Sequence, residues 1–196
     1  MATLYSNGQP RTPQGLKVSP QSYASLERVA EGIRMALPVL PGEKYNLNCV
    51  QILEKLLPSA GYNLKIAEID QLEDCAAFTV PTESLLVFRE DIYDMLHAQH
   101  VFGRSTVVHE MAHIVLNHAA TFHRGAVLGQ HKFYEDSEWQ AKALTAAIMM
   151  PVSACKEAET PERLAELCGT SVASASYRLD KLKQQGEMKG QRRLFY

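Results

Sequence analysis

The chain has few cysteines and almost no net charge: four cysteines and a formal charge of -2 among 196 residues. The cysteines are widely separated and none forms a C-x-x-C pair, so no disulfide framework is indicated. We therefore expect buried thiols in a reducing compartment. These residues are Cys49, Cys75, Cys155 and Cys168.

The first twenty residues lack an apolar stretch and are rich in Ser, Thr, Gln, Gly and Pro. They indicate neither a signal peptide nor an anchor, so we predict a cytoplasmic protein with no membrane partner. This composition favours a flexible tail over residues 1–19. A hydrophobic content of 46% suits one compact domain, predicted at 20–157, with a small helical appendage at 158–196.

What the chain does contain is the pentapeptide His109-Glu110-Met111-Ala112-His113, which reads H-E-x-x-H. On an α-helix, histidines four positions apart lie on one face, so both imidazoles can reach one divalent ion. Glu110 is rotated by roughly 100° from His109, which keeps its carboxylate off the metal but near a water there. The pattern indicates metal-dependent hydrolysis. The alternative interpretation is a helix with two surface histidines and an exposed glutamate, which would have the same sequence.

The residues around the motif favour a helix that is buried along one side. On a helical wheel of residues 102–117, one stripe is apolar and both histidines lie at its edge. Histidines at such an edge face a cleft, where a catalytic metal keeps an open coordination position. The predicted core stripe comprises Val108, Met111, Ala112 and Val115.

A catalytic zinc commonly has three protein ligands, so the motif requires a third. The metzincin pattern would place glycine and histidine where this chain has Leu116 and Ala119. If the helix continues, His118 lies about 180° from His109, and we predict that it faces away from the metal. The third ligand is therefore expected outside the motif helix.

The remaining source of a third ligand is a carboxylate on a second helix. Glu138 lies in the first turn of an alanine-rich segment that begins near Asp136 or Ser137 and is stopped by a proline. Small side chains such as Ala141 would allow this helix to approach the motif helix closely. Glu135, one turn earlier, is the alternative ligand, and Glu138 has the alternative role of a first-turn acid stabilised by the helix dipole.

Two blocks of the sequence resemble the ImmA/IrrE family of zinc metallopeptidases, the former DUF955 group. The first is residues 104–113, and the second runs from Glu138-x-x-Ala141 to the I-M-M-P ending at 148–151. The resemblance implies a zincin-like domain that binds Zn²⁺ or another divalent transition metal. It also implies the roles of four residues, with metal ligands His109, His113 and Glu138 and the general base Glu110.

The chain departs from the usual family pattern at four positions that carry neither a ligand nor the base. These departures leave the implied chemistry intact and leave the substrate and the subfamily open. The positions are Val108, Ala112, Lys142 and Leu144.

Ahead of the motif, the sequence predicts two helices and three short strands. Helical periodicity covers 20–37 and 47–57, and β-type runs cover 63–69, 76–80 and 84–89. This order predicts an α+β fold that combines a small antiparallel sheet, the HExxH helix and a second ligand helix.

Two further parts of a peptidase site have candidates in the sequence. An exposed edge strand can hold an extended peptide by backbone hydrogen bonds, and residues 85–88 are our candidate. Their apolarity fits a buried central strand at least as well. The candidates for stabilising the oxyanion are Tyr134, His131, His123 and Arg104.

The C-terminal region supplies a rival function. Residues 160–182 resemble a helix-turn-helix unit whose helices are capped by Thr160 and Ser171. Residues 172–196 hold six lysines or arginines against two acids. A basic patch attracts phosphate, so DNA binding is an alternative. We favour a packing appendage because the patch is modest.

Three classes of function follow from these patterns. The favoured one, given the intact Glu110, is a zinc endopeptidase that by resemblance would cleave a helix-turn-helix repressor or similar regulator in a phage, mobile-element or stress-response circuit. The second is a DNA-binding regulator with a non-catalytic metal site. The third is a protein-interaction component, for example one half of a toxin-antitoxin-like pair. The patterns predict no particular oligomeric state.

Overall fold

The computed structural model of the protein describes residues 5–6, 9–10, 14–118 and 131–186. None of the described helices is long and apolar enough to cross a bilayer. A π-helical turn, Ile52–Leu56, joins the short helices Cys49–Gln51 and Leu57–Ser59. The strands are β1 (Tyr5–Ser6), β2 (Gln9–Pro10), β3 (Asn63–Ala67), β4 (Ala77–Val80) and β5 (Leu85–Arg89). The helices are α1 (Tyr23–Arg34), α2 (Cys49–Gln51), α3 (Leu57–Ser59), α4 (Glu90–His97), α5 (Val101–Val115), α6 (Ser137–Met149), α7 (Val152–Glu157), α8 (Pro161–Cys168) and α9 (Val172–Gln184).

Strands β3, β4 and β5 form one sheet in the order β3-β5-β4, and β1 pairs with β2. Strand β5 runs parallel to β3 and antiparallel to β4. The α+β architecture is as predicted, but the prediction of an antiparallel sheet is wrong for the β3-β5 pair. Strand β5 occupies the centre because Leu86, Val87 and Phe88 are buried, and an apolar strand gains most where both faces are covered.

The central position of β5 also identifies the edge of the sheet. The prediction that residues 85–88 form an exposed edge is wrong, and their alternative interpretation as a buried central strand is confirmed. In the described sheet, β4 pairs with β5 alone and is therefore an edge. It packs beside α5, so the strand that borders the motif helix is β4.

Helix α5 passes through the core, between α4 and α6. Val108 and Ala112 have no exposed surface, whereas Val115, which was predicted to be buried, is 37% exposed at the end of the helix. Gly103 allows the contact with α4, since a Cβ there would lie 2.5 Å from the backbone nitrogen of Leu96. The motif helix is therefore fixed by packing on two sides.

The first helices differ from their predicted bounds at both ends. Helix α1 begins at Tyr23 rather than at residue 20, because Ser22 and Ser25 form a reciprocal capping box. The second predicted helix extends to Ser59, and α4 was not predicted.

The segment before α1 lies antiparallel to the residues that precede α6. The backbone nitrogen of Gly15 donates to Oδ2 of Asp136 at 2.8 Å, and that of Val18 donates to the carbonyl of Glu135 at 2.8 Å. Residues 15–18 are therefore bonded to the start of α6, and the flexible tail over residues 1–19 stays a prediction.

Helices α8 and α9 begin after their predicted caps, Thr160 and Ser171. The turn between them passes through Gly169 at φ +62°, where a Cβ would collide with the guanidinium of Arg104. Arg104 donates to the carbonyl of Gly169, so this turn is bonded directly to the motif helix. The helix-turn-helix interpretation and the boundary after residue 157 stay predictions.

Arg178 on α9 connects the C-terminal helices to α1. Its guanidinium makes a two-point contact with the carboxylate of Glu27, and its Nε donates to the carbonyl of Met150 at 3.0 Å. The Arg178 side chain is only 4% exposed. Its charge is therefore satisfied inside the protein and is not presented to a nucleic acid.

Replacing Glu27 by alanine would leave Arg178 buried without its carboxylate. We expect the free energy of unfolding to fall by about 3 kcal/mol, because an uncompensated buried charge is costly. Urea titration measures this loss. Glu31→Ala, at an exposed position of the same helix, should change stability by less than about 0.5 kcal/mol. Equally small changes in both variants would contradict a stabilising role of the pair.

Candidate metal centre

The two motif histidines lie one turn apart on α5 and point at the same place. Their Nε2 atoms are 3.2 Å apart, and their rings meet edge to face. Their side chains are 22% and 15% exposed, so both are accessible from a cleft while α5 itself is buried. The edge position predicted for His109 and His113 is the one they occupy.

The first turn of α6 brings Glu138 to the histidines. Its Oε2 lies 3.4 Å from Nε2 of His109, and its Oε1 lies 3.2 Å from Nε2 of His113. Asp136 begins this helix by accepting a hydrogen bond from the Trp139 nitrogen at 2.8 Å. The predicted alternative, Glu135, lies before the helix and accepts from the Lys132 nitrogen instead.

These three side chains fit a tetrahedral zinc ion. Ligand atoms bonded at about 2.1 Å to one tetrahedral zinc lie about 3.4 Å apart. The two imidazole nitrogens are 3.2 Å apart, and each lies 3.2 to 3.4 Å from a different oxygen of Glu138. One atom from each side chain lies within 4.8 Å of the others, so the cluster is close to the spacing that zinc requires. Contact with the imidazoles of His109 and His113 holds the pKa of Glu138 well below its ordinary value, so the carboxylate is ionised, as a metal ligand must be. Within the described part of the chain, no other group of three such side chains is close enough to hold a metal.

Glu110 lies beside this cluster and is only 6% exposed. The hydroxyl of Thr79 on strand β4 donates to its Oε2 at 2.7 Å. The sequence did not single out Thr79, because no local signal indicates which strand residue faces the motif helix. One carboxylate oxygen of Glu110 is therefore held by the sheet edge.

A cleft of about 860 Å³ opens over the histidines and Glu110. Strand β4 forms one wall, and residues 14–16 with the start of α6 form another. Among the described residues that line the cleft, Lys142 is the only lysine or arginine, and it lies one turn after Glu138. Its Nζ donates to Oε1 of Gln14 at 2.9 Å. The cleft has the size and the polar residues of a substrate site.

Residues 103–180, which include most of α5, all of α6 and most of α9, match the family model of the IrrE N-terminal-like domain, Peptidase_M78. This segment is therefore similar to peptidase family M78. The match confirms the ImmA/IrrE resemblance and supports a metallopeptidase. None of the curated proteins compared with the chain matches it significantly.

None of the three oxyanion candidates within the described residues lines the cleft. Arg104 is buried and bonded to the carbonyls of Gly169 and Leu47, away from the cleft, so that prediction is wrong. His131 pairs with Asp136 at 3.0 Å, and neither His131 nor Tyr134 is among the described lining residues. His123 lies outside the described residues.

The direction predicted for His118, away from the metal, assumed a longer motif helix than the structure has. The helix ends at Val115, and Asn117 adopts φ +49°, which turns the chain back. Nδ1 of His118 then lies 3.1 Å from Nδ1 of His113. Burial lowers the pKa of His118.

We expect Gly15→Val to weaken zinc binding by about tenfold or more, since misplacing a ligand or its support costs that much. A Cβ at Gly15 would lie 2.4 Å from Oγ of Ser137 and 2.6 Å from the nitrogen of Glu138, so the first turn of α6 must shift. Competition with a chromogenic chelator measures the affinity.

The matched control is Gly32→Val, because a Cβ at Gly32 would meet no atom within 4 Å. Circular dichroism of both variants establishes that they fold. Unchanged zinc affinity in Gly15→Val would mean that this close approach does not position Glu138.

Proposed function

We propose that this protein is a zinc-dependent endopeptidase in which His109, His113 and Glu138 hold the metal and Glu110 is the general base. The observation that carries the proposal is that one ligand atom from each of these three side chains lies within 4.8 Å of the other two. A set of three protein ligands leaves a fourth position for the substrate or water, as catalytic zinc sites do. The cluster lies in an open cleft next to a partly buried carboxylate.

When bound, zinc supplies a Lewis acid that polarises the scissile carbonyl and makes a neighbouring water more acidic. Glu110 accepts the proton of the attacking water and delivers it to the leaving amine. Because Thr79 holds Oε2 of Glu110, Oε1 is left to exchange that proton. Because Glu110 has little exposed surface, its carboxylate exchanges protons with the attacking water rather than with bulk water.

Strand β4 is our candidate for the substrate-binding edge. It pairs with β5 on one side, and residues 77–80 line the cleft on the other. An extended peptide added to this edge would form backbone hydrogen bonds whatever its side chains, and alternate side chains would enter the cleft. Thr79 would then connect the strand that holds the substrate to the general base.

We propose a protein substrate of the regulator class, such as a helix-turn-helix repressor, on the strength of the ImmA/IrrE resemblance. The test is incubation of the zinc-loaded protein with regulators encoded beside its gene. We expect wild type to cleave one of them and Glu110→Gln to leave it intact while retaining zinc. Gel electrophoresis and metal analysis measure both properties. Cleavage by both proteins, or by neither with zinc bound, would contradict the proposed function.

Glu138→Gln and Glu135→Gln form a matched pair for the third ligand. We expect Glu138→Gln to lose most of its zinc, because the carboxylate charge is removed, and Glu135→Gln to retain it. Equal zinc content after dialysis would reject Glu138 as a ligand.

Thr79→Val removes the hydroxyl that donates to Glu110 and preserves the shape of the side chain. We expect kcat to fall about tenfold, since a hydrogen bond to a charged group contributes about 1.5 kcal/mol or more, while zinc affinity stays unchanged. Thr79→Ser should restore most of the rate. Steady-state kinetics on a peptide spanning the cleavage site measures the effect, and a Thr79→Val variant with the wild-type kcat would rule out this role.

A further inference from the structure

A chain of buried hydrogen bonds runs from His113 into the second ligand helix. Nδ1 of His113 is 3.1 Å from Nδ1 of His118, and Nε2 of His118 is 3.0 Å from Oε1 of Gln140 on α6. His118 is 9% exposed and Gln140 is 1% exposed. These residues lie behind the ligand cluster, on the side of His113 away from Glu138.

The far end of this chain fixes the orientation of the Gln140 amide. Its Nε2 donates to two backbone carbonyls, those of Ser19 at 2.8 Å and Tyr134 at 2.9 Å. Carbonyl oxygens only accept, so the amide nitrogen must face them and the amide oxygen must face His118. Flipping the amide would place oxygen against two oxygens.

The fixed amide in turn determines the tautomer of each histidine. Because Oε1 of Gln140 accepts, Nε2 of His118 carries the hydrogen and its Nδ1 has a free lone pair. That lone pair can accept only from a protonated Nδ1 of His113. Nε2 of His113 is then left with its lone pair directed at the ligand cluster, which is the form that binds a metal.

We propose that His118 and Gln140 are positioning residues for the metal centre and set the tautomer and ring orientation of the ligand His113. The proposal rests on the proposed zinc site. Metal-bound histidines usually donate their second N–H to a carboxylate, a carbonyl or water. In this chain the neutral His118 accepts it instead, and Gln140 on α6 holds the His118 ring in place. This relay of hydrogen bonds, from His113 through His118 to Gln140, connects α5 and α6, the two helices that supply the proposed ligands.

The backbone at Asn117 brings His118 next to His113. Continuing α5 by one more turn would carry His118 to the opposite face of the helix. The left-handed conformation of Asn117, at φ +49°, returns it towards His113 instead. Asparagine tolerates that conformation better than most residues with a side chain.

Zinc affinity, measured by chelator competition, tests the relay without recourse to activity. His118→Leu removes the acceptor, and we expect its zinc dissociation constant to rise by about 10- to 100-fold. His118→Gln supplies an amide oxygen to accept from His113 and an amide nitrogen to donate, so it should restore most of the affinity. His97→Leu is the control, because His97 pairs with Glu54 on the surface and should leave the affinity unchanged.

Nitrogen-15 NMR of the histidine rings reads the tautomers directly in the zinc-loaded wild-type protein. We expect the Nε2–H form for His118 and the Nδ1–H form for His113. The opposite tautomer at His118, or a His118→Leu variant that binds zinc within twofold of wild type, would overturn the relay while the zinc site stands. A wild type that binds no zinc would overturn both the proposed function and the relay.

Discussion

The close approach of α5 and α6 is the constraint on which the rest of the site depends. Two histidines on one helix define a direction but not a binding site, since a third donor has to come from elsewhere in the chain. Ala112 and Ala141 are fully buried where the helices carry their ligands. Side chains this small allow the backbones to come close, and the carboxylate of Glu138 reaches both imidazoles without a long loop to carry it.

Asp136 maintains this approach at the start of α6. Its carboxylate accepts from the Trp139 nitrogen inside the helix, from the Gly15 nitrogen and from the ring of His131. One side chain therefore caps the ligand helix and attaches the N-terminal segment to it. The start of α6 is therefore set by a residue outside the proposed ligand cluster.

The polar groups around the metal centre form two separate supports. Thr79 holds Glu110 from the sheet edge, and the relay through His118 and Gln140 holds His113 from behind. The proposed base and the proposed ligand are therefore oriented by different parts of the fold. This separation would suit a hydrolytic site, where the base must move a proton while the ligands stay still.

Local signals in the sequence predicted the parts of the fold that depend on neighbouring residues. The caps at Asp136, Thr160 and Ser171 and the end of α6 before Pro151 are such features, because capping and the steric effect of proline act within a few positions. The capping box at Ser22 was missed, and this helix was predicted to begin at residue 20. The parallel β3-β5 pair was also missed, since strand pairing depends on residues far apart in the chain.

The sequence by itself determined the chemistry: two histidines and a glutamate at helical spacing, and a carboxylate on a helix rich in alanine. Only the tertiary structure decided which strand is the sheet edge, that Thr79 contacts Glu110, and that His118 turns back towards His113. These contacts depend on where separate elements pack and on one left-handed residue, Asn117, that ends the regular helix. Helical periodicity extrapolated past that residue placed His118 on the wrong face, because a periodic pattern holds only as long as the helix does.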